Sequence, residues 1–268
     1  MKFFGDYYEI VSCIWAISGA IIGWIISTLI PGWKKHSVRK WLSLEKKPCR
    51  IILPSYKKKL HNQLEDISVC PIRDIQAASN ILELINSVGL YSDQKSVIYE
   101  DTYAMPFEQH NVFCIGGSLA NRYTYDLFQQ FFPQVHIYAT QEKIDTNPNN
   151  VPAEHFVICE GKKGFCWGNM EDEEFVVKAD ERYAIIVKLL KEDFNSKNHG
   201  TVHILFGNGI EGTLAISRYL LYDYKTLNKL LKKRKHYFVA FKLKRETGII
   251  DTDSILDLTD IMFKNRIS

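Results

Sequence analysis

The stretch that decides the fold runs from Val202 to Leu221, VHILFGNGIEGTLAISRYLL. Val202 to Phe206 is a short apolar run that reads as a buried strand, and the glycine cluster from Gly207 to Gly212 stops it. A helix is expected from Thr213 to about Leu221. Working outward, the same unit recurs. Arg50 to Leu53 is a strand stopped by Pro54-Ser55, and Ile75, Ala78, Ile81, Leu82, Ile85 and Val88 repeat at helical spacing up to Gly89. Strands are expected at Ser96 to Tyr99 and at Val112 to Ile115, the second ended by Gly116-Gly117-Ser118. A helix from Leu119 to Phe132, a strand from Val135 to Tyr138 and a strand from Tyr237 to Leu243 follow, and a closing strand or helix ends the chain.

Alternation of apolar strands with helices argues for an α/β fold, a Rossmann-like, mainly parallel sheet covered on both faces. It carries a β-rich insertion, in which His155 to Cys159, Gly164 to Trp167 and Tyr183 to Leu190 are expected as strands around the acidic run 171–174. The basic segment Lys225 to Lys235 is a helix or a loop. A length of 268, 46% hydrophobic residues and a net charge of +3 exclude a disordered or fibrous chain. The apolar residues are unevenly spread, however. Ile10 to Ile30 contains 21 residues without a charge.

At about 1.5 Å per residue, a helix over that run spans the roughly 30 Å of a bilayer core. Pro31-Gly32-Trp33 stands where a signal peptide would place a small-residue cleavage site, so a membrane span is expected instead. Ten basic residues between Lys34 and Lys59 face a single acid, Glu45, whereas the first nine residues hold only Lys2 as a basic residue. The positive-inside rule then puts the N-terminus outside and the large domain in the cytoplasm. Residues 1–32 form the tail and membrane helix, 33–49 a basic juxtamembrane linker able to touch anionic headgroups, and 50–268 the cytoplasmic domain. Ser12, Ala16, Gly19, Gly23 and Ser27 form a small-residue stripe, with Gly19 and Gly23 as a G-x-x-x-G, which favours close packing of helices in a homo-oligomer. Cytoplasmic placement makes disulfides unexpected, and Cys114 and Cys159 fit a core.

Three strand ends carry residues suited to an oxyanion: Ser55; Gly116, Gly117, Ser118 and Asn121; and Gly207, Asn208, Gly209, Gly212 and Thr213. Glycines let backbone amides approach a phosphate, a helix N-terminus adds partial positive charge, and hydroxyls donate. Asn121 also fits a helix cap, and the glycines a tight turn. Gly207, Gly209 and Gly212 form a G-x-G-x-x-G between strand and helix. It lies late in the chain, and Lys242 and Lys244 stand where an acid would read a ribose, which argues against NAD as a bound cofactor. Arg73, Arg122, Arg218 and the 232–235 run are available to neutralise phosphates. Catalytic residues are not evident: the histidines have no partner at a recognisable spacing, and Glu211, then Asp101 and Glu108, are the best acid/base candidates. No C-x-x-C or histidine pair suggests a metal.

The strand-GG-x-x-x-N-helix element from Phe113 to Asn121, followed by strand-G-x-G-x-x-GT-helix from Leu205 to Thr213, resembles the Rossmann-like sensor domains of prokaryotic antiviral systems, the SLOG and CARF groups. The strand with Ser55 is similar in position. The resemblance covers Arg50 to about Leu243 and implies a nucleotide signal, often a cyclic oligonucleotide or a nicotinamide derivative in those groups, and fusion to an effector such as a membrane helix. Leu214 replaces the basic residue usual in CARF domains, and Ile216 replaces the catalytic glutamate of the related LOG enzymes.

The leading expectation is thus a membrane-anchored effector of antiphage defence, of the CBASS or CRISPR signalling type, in the prokaryotic inner membrane. It would sense a nucleotide-type messenger without turnover and oligomerise to disrupt the membrane, with no direct DNA binding. A membrane-tethered enzyme processing NAD or nucleotides is one alternative, and an adaptor that binds a protein partner through Lys225 to Lys235 is another.

Overall fold

The structure, a computed structural model, describes residues 36–44, 47–58, 67–89, 95–99, 110–118, 120–132, 135–139, 156–161, 164–169, 182–194, 200–207, 209–231, 234–244 and 246–263. The expected membrane helix and its small-residue stripe, Ser12, Ala16, Gly19, Gly23 and Ser27, lie outside the described residues. Among the described residues no helix is long and apolar enough to cross a membrane.

Strands β1 (Cys49–Leu53), β4 (Lys95–Tyr99), β5 (Asn111–Ile115), β9 (Tyr183–Leu189), β10 (Val202–Gly207), β11 (Tyr237–Leu243) and β12 (Ile250–Asp257) form one seven-stranded sheet in the order β12-β11-β9-β10-β5-β1-β4. β4, β1, β5, β10 and β11 share one direction, whereas β9 and β12 run against it. Every residue of β5 and β9 is buried, as continuous apolar runs require when both faces of a sheet are covered. The sheet is therefore mixed, and the protein is an α/β fold.

On one face Ile51, Leu53, Phe113, Ile115, Ile186, Leu205, Val239 and Phe241 pack against α2 (Ile72–Ser87), α4 (Gly209–Tyr222) and α5 (Tyr224–Leu231). On the other, Ile52, Cys114, Val187, Ile204, Phe206 and Phe238 pack against α3 (Arg122–Phe131) and α6 (Thr259–Phe263). Alternate residues of each strand thus serve opposite cores, the consequence of the two-residue strand period. The crossovers β1-α2-β4 and β10-α4-α5-β11 lie on the same face but travel in opposite directions across the sheet. They are of opposite hand, so one departs from the usual right-handed rule. β9, which fills the place between β10 and β11, is what makes the second connection span two strand positions.

Two expectations are corrected. The strand from Tyr183 belongs to the middle of the main sheet rather than to the insertion, because its residues are apolar on both faces. The strand from Val135, by contrast, leaves the main sheet: β6 (Val135–Ala139) joins β7 (Phe156–Gly161) and β8 (Gly164–Asn169) in a separate three-stranded sheet. The pair β2 (Tyr56–Lys58) and β3 (Ile67–Val69) was not expected at all. The described residues close with both a strand and a short helix.

The basic segment before β1 is also more than a linker. Residues 36–41 are helical (α1), and Val38, Trp41, Leu42 and Leu44 are buried in the core shared with α2, α4 and α5. The folded domain therefore begins before Arg50.

Candidate functional site

β1, β5 and β10 are adjacent, so the three strand ends singled out in the sequence lie side by side at one edge. The Gly116 amide donates to the Leu205 carbonyl at 2.9 Å, which joins the second glycine element directly to the strand that carries the third. Ser55 is half-buried just beyond β1, and Ser118 is buried in the β5-α3 turn.

The side chain of Asn121 is fully buried and fully used. Its Oδ1 accepts from the Tyr123 and Thr124 amides at 3.1 and 3.3 Å, the N-cap of α3, while Nδ2 donates to Ile115 O at 3.0 Å and Ile52 O at 3.2 Å. One amide therefore ties β1, β5 and α3 together. Gly117 O accepts from the Ala120 and Asn121 amides, and Thr124 Oγ1 donates to Gly116 O at 3.1 Å. Gly116 itself sits at a φ of +95°, a backbone region that side chains disfavour.

The G-x-G-x-x-G is tighter than the sequence suggests. α4 begins at Gly209, so Gly209, Gly212 and Thr213 belong to the helix, and the connection from β10 is only a residue long. A Cβ on Gly212 would lie 2.5 Å from Tyr183 O and 2.7 Å from the Gly207 Cα, and one on Gly207 would meet Tyr183 O and the Gly212 Cα. These glycines let α4 press onto β10 and β9. That is the role of the last glycine in a strand-to-helix fingerprint rather than of an amide cradle. Thr213 is buried, and Asn208 lies outside the described residues.

A cavity of about 490 Å³ opens beside this end of α4, walled by α4, the N-terminal turn of α2, Arg182 before β9, and the β11-β12 turn at residues 246–249. Three guanidiniums enter it: Arg73, Arg182 and Arg218. Glu211 accepts from Arg73 Nη1 at 3.0 Å through one oxygen and pairs with Arg182 through the other. Arg218 makes no ion pair with any described residue. Asp223 and Glu246 also line the cleft, with Tyr219, Tyr222 and Ile249 as apolar surface. The sequence pointed to Arg73 and Arg218 as phosphate-neutralising groups, and the fold brings these two together from α2 and α4. Arg122 instead opens α3 on the opposite face, and Arg182 had no sequence signal at all. Glu211, the leading acid/base candidate, has both oxygens engaged by arginines, the arrangement of an anchor for guanidiniums. Asp101 and Glu108 lie outside the described residues.

A second polar group sits at the other end of the sheet. Lys188 on β9 is in register with His203 on β10 and Tyr237 on β11, and all three are buried. Its Nζ donates to Trp41 O at 2.9 Å and to Ser43 Oγ at 2.7 Å, and burial lowers its pKa to about 8. His203 stacks on Phe113 with centroids 4.8 Å apart, and neither ring nitrogen has a partner. Burial, and then the charge of Lys188, hold it well below the ordinary histidine range, so it is neutral. Cys114 is likewise buried, which pushes its thiol pKa up and suits a core residue rather than a nucleophile. No group of three potential metal ligands occurs among the described residues.

Comparison of the chain with protein-family models, with curated proteins and with solved structures returned no match to any of them.

Proposed function

We propose that the protein is a membrane-anchored sensor that binds a phosphate-bearing, nucleotide-type ligand in the arginine cleft beside α4. The observation that carries this reading is the convergence of Arg73, Arg182 and Arg218 on one cavity of about 490 Å³, large enough for a nucleotide. Guanidiniums recognise phosphate in a bidentate way, and Arg218 is available to do so without breaking an existing pair. Tyr222, exposed on α4, offers a ring for a base. The strand order β4-β1-β5-β10 matches that of a doubly wound sheet and supports the Rossmann-like expectation, with the ligand at the carboxyl ends of its strands.

Residues 10–30 are the anchor, a single transmembrane helix with the sensor domain in the cytoplasm, and their small-residue stripe packs copies together. A route for the signal is available. α4 lines the cleft as far as Tyr222, α5 begins at Tyr224, and the Tyr224 ring lies 6.5 Å from that of Trp41 in the segment leading to the membrane helix. Ligand binding that favours one packing of α4 and α5 would shift α1 and hence the association of the membrane helices, by no more than its differential affinity for the two states. Membrane disruption in prokaryotic antiviral defence is the output that the resemblance suggests.

The test is to reconstitute the full chain in dye-loaded liposomes and add cyclic oligonucleotides, ADP-ribose, NAD and ATP in turn. One of them should bind and release the dye, and Arg218→Glu should abolish both effects while leaving the protein folded. Absence of binding with every ligand would overturn the reading. Conversion of a ligand to product, seen by chromatography, would replace it with the tethered-enzyme alternative.

A further inference from the structure

A second cavity, of about 400 Å³, lies at the end of the sheet opposite the arginine cleft, between α1 and the β9-β10 connection. His36, Arg39, Lys40 and Ser43 line it from the α1 side, and Glu192 and Thr201 from the other. The spacing of His36, Arg39 and Lys40 puts the three basic residues on one stripe of α1. Val38, Trp41 and Leu42 occupy the buried stripe.

Several contacts fasten this helix in the state described. Trp41 packs between Tyr224 and Tyr237, Lys188 holds the Trp41 carbonyl and Ser43 Oγ, and Thr201 Oγ1 donates to Ser43 O at 2.7 Å. Arg39 Nε donates to Leu44 O at 3.2 Å, which fixes the stem of the guanidinium and leaves its outer nitrogens for another acceptor. The basic groups are thus held ready over a cavity, unlike those of a disordered tail. Ile30, the end of the apolar run, lies six Cα steps before His36. Fully extended they reach roughly 20 Å, so the cavity stays within reach of the headgroup layer.

We propose that this cavity binds the phosphate of an anionic phospholipid headgroup, with Arg39 and Lys40 as its cationic contacts and the Ser43 hydroxyl, which accepts from Lys188 and keeps its own proton, as a donor. Glu192 also lines the cavity and opposes any anion, so binding rests on the two cations outweighing it. The inference rests on the membrane reading above, because the lipid must be present beside α1. Its consequence is that lipid composition sets the position of α1, and through Trp41 and Tyr224 biases the same helices that line the arginine cleft.

The test uses the full chain in nanodiscs of phosphatidylcholine with or without phosphatidylglycerol, extracted gently and weighed by native mass spectrometry. Phosphatidylglycerol should be retained preferentially, one per protomer. Arg39→Gln/Lys40→Gln should lower that preference roughly thirtyfold, the factor for removing two basic side chains from an anionic surface. Lys40→Gln, at an exposed position, gives a part of the loss without touching the Arg39 bond. Equal retention of the two lipids, or retention unchanged in the variants, would overturn the headgroup site alone. Binding of glycerol phosphate as tight as that of the lipid would assign the cavity to a free phosphate ester and overturn it too. Failure of the chain to enter nanodiscs of either composition would sink the membrane reading and this site with it, and is seen before any lipids are compared.

Discussion

The Lys188 ammonium donates to the Trp41 carbonyl at 2.9 Å, across 147 residues of chain. A charge is thus buried within the sheet, where it fastens the segment before β1 to β9. Burying an ion costs more than its contacts return unless they are good, so such a bond serves to fix position as much as to stabilise.

This gives a pH prediction. Lysine ordinarily titrates near 10.5, and burial lowers Lys188 to about 8. Between those values the unfolded chain keeps a proton that the folded chain has released, so stability rises with pH across that window. The gain has a ceiling of about 3 kcal/mol. Burial raises the pKa of Tyr237, Tyr219 and Tyr224, which acts in the opposite sense above the ordinary tyrosine value, so the comparison must be differential. The melting temperature of the wild type minus that of Lys188→Met should climb from pH 8 to about 10. A flat difference would mean that Lys188 is hydrated.

Asn121 makes four hydrogen bonds within the protein and has none to spare for a ligand. Asn121→Ala removes a helix cap and leaves two strand carbonyls without their donor, a loss of about 3 kcal/mol or more. Asn121→Asp restores the cap acceptor but not the donors, and it should recover only a part. Chemical denaturation measures both. Full stability in the alanine variant combined with lost nucleotide binding would instead make Asn121 a ligand residue.

Gly212 distinguishes two uses of the G-x-G-x-x-G. Since a Cβ there would stand 2.5 Å from Tyr183 O, Gly212→Ala must push α4 off the sheet. A loss of roughly 2–4 kcal/mol is expected, in the range of overpacking with backbone movement. If circular dichroism melts show wild-type stability, the helix does not pack as described.

Much of this fold was legible in the sequence because its strands are short, apolar and bounded by glycine or proline. The run Val112 to Ile115 needs no partner to be recognised. Which strands pair was less accessible. Tyr183 to Leu189 carries the same apolar pattern whether it lies in an insertion or at the centre of the sheet, and only long-range register decides. The cleft was half legible. Glycine spacing drew attention to the correct end of the sheet, but the glycines serve packing and the side chains that converge there are arginines from distant segments. Arg182, one residue before a strand, carries no local mark. The packing of residues 36–44 was hidden for a similar reason: Val38, Trp41 and Leu42 sit among basic residues whose charge dominates the reading.

Glu211 is the group most sensitive to whether the cleft takes an anion. Its carboxylate occupies Arg73 and Arg182, as an anionic ligand would, and the ion pairs are roughly half exposed, so their contribution to stability is under about 1 kcal/mol. Glu211→Gln should therefore leave the melting temperature nearly unchanged. It removes a competing negative charge, so pyrophosphate, used as the probe in isothermal titration calorimetry, should bind several-fold more tightly at low salt, with the gain fading as ionic strength rises. Arg218→Gln should weaken the same binding in both backgrounds. Weaker binding in Glu211→Gln would show that the carboxylate aims the two guanidiniums at the ligand and does not compete with it.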